Sequence, residues 1–122
     1  MKIQVLATEY AVCKLEDYSQ LDLKMPFCFI GKTDEENSLV CPRDIVPANV
    51  IAREDGWRAL RIVGTLDFAL VGILADIARV LANKGISIFA LSTYNTDYVL
   101  IKSEKLQDAV KALISAGYEM VE

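Results

Sequence analysis

The sequence predicts an α+β fold in which residues 57–122 form a βαββαβ domain and residues 1–56 a smaller subdomain ahead of it. Three observations predict this. Two segments carry apolar residues at helical spacing, strand-like segments flank each of them, and Asn95-Thr96-Asp97 supplies turn chemistry between the middle two strands. Two helices on one face of a four-stranded antiparallel sheet is the ferredoxin-like architecture, with right-handed βαβ crossovers.

The elements follow in order. Arg58 to Gly64 reads as the first strand. The first helix runs from about Ala69 to Lys84, with Leu70, Ile73, Leu74, Ile77, Val80 and Leu81 at spacings of three and four, and Gly85 suits the left-handed position that ends a helix. Ile86 to Tyr94 and Asp97 to Lys102 read as a hairpin, being rich in β-branched and aromatic residues. The second helix runs from about Glu104 to Ala116, with Ser103 as cap, Leu106, Val110, Leu113 and Ile114 as its stripe, and Gly117 closing it. Tyr118 to Val121 is the last strand. Gly72 falls inside the first helix, at about 1 kcal/mol relative to alanine, so either a packing partner or a ligand is expected close to its backbone.

The first half carries less pattern. Lys2 to Ala7 and Tyr10 to Leu15 read as a hairpin around Thr8-Glu9, and Phe27 to Gly31 and Leu39 to Cys41 as two more strands. One short helix fits, at Arg43-Asp44-Ile45-Val46 or at Thr33-Asp34-Glu35-Glu36, because Pro26, Pro42 and Pro47 interrupt the rest. The charged and breaking residues Ala52-Arg53-Glu54-Asp55-Gly56 read as a link between the halves.

Composition excludes several function classes. At 122 residues, 53% hydrophobic and 25% charged, the chain has enough apolar material for a core and is not a disordered segment. No run approaches the roughly 18 apolar residues of a membrane helix, and the start lacks the apolar core of a signal peptide, so no membrane association and a cytoplasmic location are expected. The net charge is -4, with 7 basic against 10 acidic residues in positions 1–60 and 6 against 7 in 61–122. Neither half offers the clustered Lys and Arg that phosphate contacts need, so nucleic acid is not an expected partner.

Histidine is absent, which removes the commonest general base and metal ligand. No Walker loop, GxGxxG or GxSxG occurs. Cys13, Cys28 and Cys41 form no CxxC, and Cys28 and Cys41 sit in apolar contexts, so the three read as buried, unreactive small hydrophobes. No catalytic residue, metal or cofactor is expected.

The stretch Gly56-Trp57-Arg58-Ala59-Leu60-Arg61-Ile62-Val63-Gly64, followed by Thr65-Leu66-Asp67-Phe68-Ala69-Leu70-Val71-Gly72-Ile73-Leu74, resembles the ACT domain family. So does Gly85-Ile86-Ser87-Ile88-Phe89-Ala90-Leu91-Ser92-Thr93-Tyr94-Asn95-Thr96-Asp97-Tyr98-Val99-Leu100. Joined to the upstream Thr33-Asp34-Glu35-Glu36-Asn37-Ser38-Leu39-Val40-Cys41-Pro42, the layout is similar to that of small bacterial tandem-ACT amino-acid sensors, with a degenerate ACT-like subdomain first. The resemblance covers nearly the whole chain, closely over residues 56–122 and thinly before. It implies a regulatory module that binds an amino acid or another small effector between two such domains, commonly in a homodimer, and it implies no reaction. The chain departs from the tandem pattern in that its first unit lacks two clear helices.

Physics independently favours a site at Gly64 to Leu70, because the first amides of a helix lack internal partners and suit a carboxylate. Thr65, Leu66, Asp67 and Phe68 would line it. The ammonium of an amino acid would be accepted by Asp97 or Asp67, with Ser92, Thr93 and Asn95 adding neutral hydrogen bonds. Each has a local alternative: Asp67 caps its own helix, Asp97 fixes the hairpin turn, and Ser92 and Thr93 bond to backbone. Ser38, Leu39 and Val40 would bring backbone groups at a strand edge toward the ligand, helped by Thr33 and Glu36; the alternative for Thr33 to Glu36 is a solvated first turn of a helix.

A binding module with allosteric output is thus the first reading. With no catalytic or DNA-binding segment beside the two units, a separate protein partner is expected to report what is sensed. A structural, dimerising protein that keeps the ACT fold without a pocket is the alternative. An RNA binder shares the βαββαβ order and Phe89, Tyr94 and Tyr98 are available to stack on bases, but the acidic balance opposes it.

Overall fold

The computed structural model describes residues 1–64 and 72–122. The chain divides into two units: Met1–Ala7 with Arg58–Glu122, and Thr8–Trp57. Two long strands, β1 (Lys2–Leu15) and β4 (Val50–Ile62), contribute residues to both. The hairpin expected around Thr8-Glu9 is therefore one uninterrupted strand. Neither residue is a Gly, Asn, Asp or Pro, so nothing there turns the chain. The expected link Ala52 to Gly56 is likewise part of a strand, with Gly56 accommodating a φ of 86° within it.

In the first unit the strand order is β7 (Glu119–Val121), β1, β4, β6 (Asp97–Lys102), β5 (Phe89–Ser92). This corrects the four-stranded antiparallel sheet. The amino-terminal residues of β1 lie between β4 and β7, pairing in parallel with β7 through Lys2↔Glu119, Ile3↔Met120 and Gln4↔Val121. On the other side the Val63 amide donates to the Lys2 carbonyl at 3.0 Å, and the Arg58 Nη2 donates to the Leu6 carbonyl at 2.8 Å. β5 and β6 form the expected hairpin, in register Phe89↔Leu100 to Ser92↔Asp97.

Helices α1 (Ile73–Ala82) and α2 (Leu106–Ser115) pack on this sheet. Alternation along the strands turns Ile3, Leu60, Ile62, Val99 and Ile101 toward Ile77, Leu81, Ala109 and Leu113, and all nine are buried in one core. Each large side chain so buried contributes about 1.5–3 kcal/mol. Ile73, Leu74 and Val80 pack against that core as their spacing predicts. In α2 the buried face is turned from the expected stripe toward Ala109, Ala112 and Leu113, leaving Ile114 54% exposed.

Two helix starts differ from expectation. α1 has Gly72 as its N-cap at φ 83°, so this glycine is outside the helix, and no described atom approaches the position a Cβ would take. Its left-handed backbone conformation accounts for the glycine. Ser103 opens a 3₁₀ turn over Ser103–Lys105, and the N-cap position of α2 falls on Lys105. Gly85 and Gly117 have the left-handed conformation expected after a helix.

The second unit has the order β2 (Phe29–Lys32), β3 (Asn37–Pro42), β1, β4, with Arg43–Ile45 as a 3₁₀ turn after Pro42 and no α-helix among its described residues. Thr33 to Glu36 is the turn of the β2–β3 hairpin, not a helical turn. The Thr33 hydroxyl accepts from the amides of Glu35 and Glu36, each at 3.1 Å, and the Thr33 amide donates to the Glu36 carbonyl at 3.0 Å. Ala11, Cys13, Leu15, Leu21, Leu39 and Cys41 form its core. No described helix is long and apolar enough to cross a membrane.

Candidate functional site

In the first unit, the end of β4 and the β5–β6 turn frame a polar pocket of about 270 Å³ lined by Gln4, Arg61, Ile62, Val63, Gly64, Asn95, Thr96 and Tyr98. Its floor is built by strand alternation. Gln4 and Arg61 each lie between two residues whose side chains enter the helix-side core, and Tyr98 directly precedes the core residue Val99, so alternation sets all three on the opposite face. Arg61 is the charged residue among the described residues that line the pocket. Its Nε and Nη2 donate to the Gln4 Oε1 at 3.2 and 2.8 Å, and its guanidinium carbon lies 5.9 Å from the Tyr98 ring centroid. These contacts fix the cation in place on a strand, and an aromatic face beneath it adds cation–π attraction.

The rim is the turn between β5 and β6. Thr96 is buried, 6% exposed, and its hydroxyl donates to the Ile62 carbonyl at 2.8 Å, fastening the turn to the end of β4. The turn closes on itself: the Thr93 amide and hydroxyl donate to the Thr96 carbonyl at 2.9 and 3.1 Å. Gly64, at φ 96°, carries the chain out of β4 at the pocket's edge. A fixed guanidinium beside amide and hydroxyl groups can hold a carboxylate or another small anion.

Of the expected site residues, Asn95 lines the pocket. Thr65, Leu66, Asp67 and Phe68 lie outside the described residues, directly after Gly64 in the chain. Ser92 and Asp97 face each other at the hairpin's last pair, the Ser92 hydroxyl donating to Asp97 Oδ1 at 2.6 Å, so these two satisfy one another locally. Thr93 bonds to backbone within the turn. Ser38, Leu39 and Val40 belong to the second unit. There β3 is paired with β2 on one side and β1 on the other; Leu39 and Val40 are buried, and the Ser38 carbonyl accepts from the Tyr18 hydroxyl at 2.8 Å.

Gln4, Arg61, Thr96 and Tyr98 were not anticipated. One signal was present for Arg61: a cation set in the apolar run Ala59-Leu60-Arg61-Ile62-Val63, where a strand buried on both faces would carry none. For Gln4 there was no signal, since its place depends on pairing across more than fifty residues of sequence.

Residues 52–115 match the sequence profile of the ACT domain. No curated protein matches the chain. Among solved structures, a protein from Agobacterium tumefaciens shares 29% identity, covering 98% of this chain and 91% of its own with a TM-score of 0.86. A Vibrio cholerae protein of unknown function, described as a possible transport protein, shares 23% over 91% of this chain and 85% of its own, with a TM-score of 0.70. The ligand-free regulatory subunit of aspartate kinase from Thermus thermophilus shares 12% over 94% and 96%, with a TM-score of 0.63. The last two are likenesses of fold.

Proposed function

From the premise that this chain belongs to the ACT domain family, whose members are regulatory ligand-binding modules, we propose that it is a non-catalytic sensor of a small carboxylate-bearing metabolite, an amino acid first among them. The observation that carries this reading is the pocket at the end of β4, where Arg61 is held by Gln4 and Tyr98 and shares the lining with Asn95 and Thr96. A carboxylate would pair with the Arg61 guanidinium. The amino group would be received by the Asn95 side-chain carbonyl or by the carboxylate of Asp97, two residues on at the start of β6, which has acceptor capacity beyond its bond from Ser92. Thr65, Leu66, Asp67 and Phe68 are proposed to complete the site, since they continue the chain from Gly64. A volume of about 270 Å³ suits a metabolite of this size and is small for a nucleotide. Output through self-association or a protein partner belongs to the same proposal.

The test is thermal unfolding of the full chain with each proteinogenic amino acid at millimolar concentration. A ligand at a hundred times its dissociation constant stabilises by about 2.7 kcal/mol, which a small domain reports as a rise of several degrees. At least one amino acid is expected to give such a rise, and Arg61→Gln to abolish it while leaving the unliganded midpoint within a few degrees. No response to any amino acid, or a response that Arg61→Gln leaves intact, would overturn the reading.

A further inference from the structure

All three cysteines fall in the second unit, and the first holds none. Their positions, 13, 28 and 41, are far apart in sequence, yet strand pairing brings them to one face. The register Ala11↔Cys41 and Cys13↔Leu39 sets Cys13 and Cys41 diagonally across β1 and β3. The register Phe29↔Val40 leaves Cys28 one residue ahead of β2, level with Cys41 on the far side of β3. Cys13 and Cys41 share the unit's core, and Cys28 packs against it.

The three thiols differ in access and in contact. Cys13 and Cys41 are 4% and 0% exposed, whereas Cys28 is partly exposed, and all three are free. The Cys13 and Cys41 thiols hydrogen-bond to each other, which holds Cys13 below the usual thiol range and, with burial, pushes Cys41 above it. Burial, helped by Asp22, also raises Cys28. Bonding of these two sulfurs needs side-chain rotation and an approach of the strands, because a diagonal cross-strand pair, at about 7–8 Å, stands just beyond the usual disulfide spacing.

We propose that the three thiols form a relay ending in a buried Cys13–Cys41 disulfide, with Cys28 as the thiol through which a small disulfide oxidant of the glutathione class gains access. Each step is a thiol–disulfide exchange. The Cys28 sulfur attacks the oxidant RSSR, forming a mixed disulfide and releasing RSH. Cys41 then passes its proton to the Cys13 sulfur beside it and attacks the Cys28 sulfur, and the second RSH leaves. Cys13 finally attacks the Cys41 sulfur, restoring Cys28 as a thiol. In sum, two protein thiols are oxidised and one RSSR is reduced to two RSH. The product has both its sulfurs in the core, where an external thiol reaches them poorly.

The experiment incubates the reduced, native full chain with oxidised glutathione and follows intact mass, free thiols and disulfide-linked peptides. Free thiols should fall from three to one, the mass should drop by about 2 Da without a retained adduct, and the Cys13 and Cys41 peptides should be joined. Cys28→Ala should yield the same disulfide roughly tenfold or more slowly. Cys41→Ala should stop at a glutathione adduct on Cys28, and Cys13→Ala at a Cys28–Cys41 bond. Alanine keeps the core apolar, and circular dichroism of each variant confirms that it folds. Three thiols retained where the urea-unfolded chain oxidises, a lasting adduct on Cys28 in the unsubstituted chain, or disulfides between chains would each overturn the proposal.

Discussion

Thr96 ties the β5–β6 turn to the end of β4, and the two groups at issue in its side chain can be removed one at a time. Thr96→Val deletes the hydroxyl that donates to the Ile62 carbonyl at 2.8 Å but keeps the shape. The lost hydrogen bond and the carbonyl left without this donor at a site 6% exposed together cost about 1–3 kcal/mol. Thr96→Ser keeps the hydroxyl and removes one buried methyl, worth about 0.8 kcal/mol. Urea unfolding monitored by fluorescence, with the denaturant slope held common to all three proteins, gives both values. Thr96→Val should therefore be the more destabilising by about 1 kcal/mol. It should also weaken any ligand response, because Ile62 and Thr96 both line the pocket. Equal losses, or a larger loss in Thr96→Ser, would refute the claim that the hydroxyl fastens the turn.

Gly72→Ala should destabilise by about 1–2 kcal/mol in the same assay, because φ is 83° there; in a helix interior the substitution would have gained about 1 kcal/mol, so the sign alone decides. Leu113→Ala, at a fully buried position, should cost about 2–5 kcal/mol, whereas Ile114→Ala, 54% exposed, should stay within about 0.5 kcal/mol. Tyr118 donates its hydroxyl to Asp76, and burial together with that bond pushes its pKa up to about 12. A raised pKa means the contribution is complete below the unfolded value near 10 and is lost as pH rises through about 12. Asp76, held down by the Tyr118 and Arg79 bonds, contributes above the ordinary carboxylate range and loses that contribution as pH falls through its lowered pKa. The difference in unfolding midpoint between the unsubstituted chain and Tyr118→Phe should accordingly be steady at neutral pH and shrink at both extremes; a difference independent of pH would count against the Asp76 pairing.

The sequence by itself determined the local elements of residues 57–122. Ile73, Leu74, Ile77, Val80 and Leu81 repeat at helical spacing, Asn95-Thr96-Asp97 turns the chain, and Gly85 and Gly117 end the helices, all through interactions within a few residues. Only the tertiary structure decided that residues 2–7 enter this sheet between β4 and β7, that β1 runs unbroken through Thr8-Glu9, and that Arg61 meets Gln4 and Tyr98. Cys13, Cys28 and Cys41 are the same case: no spacing in the chain announces them as neighbours, because cross-strand register brings them to one core. The physical reason is common to all of these. Periodicity and turn chemistry are set by near neighbours, whereas strand order and register are fixed by which distant backbone edges and apolar faces satisfy one another once the chain is compact.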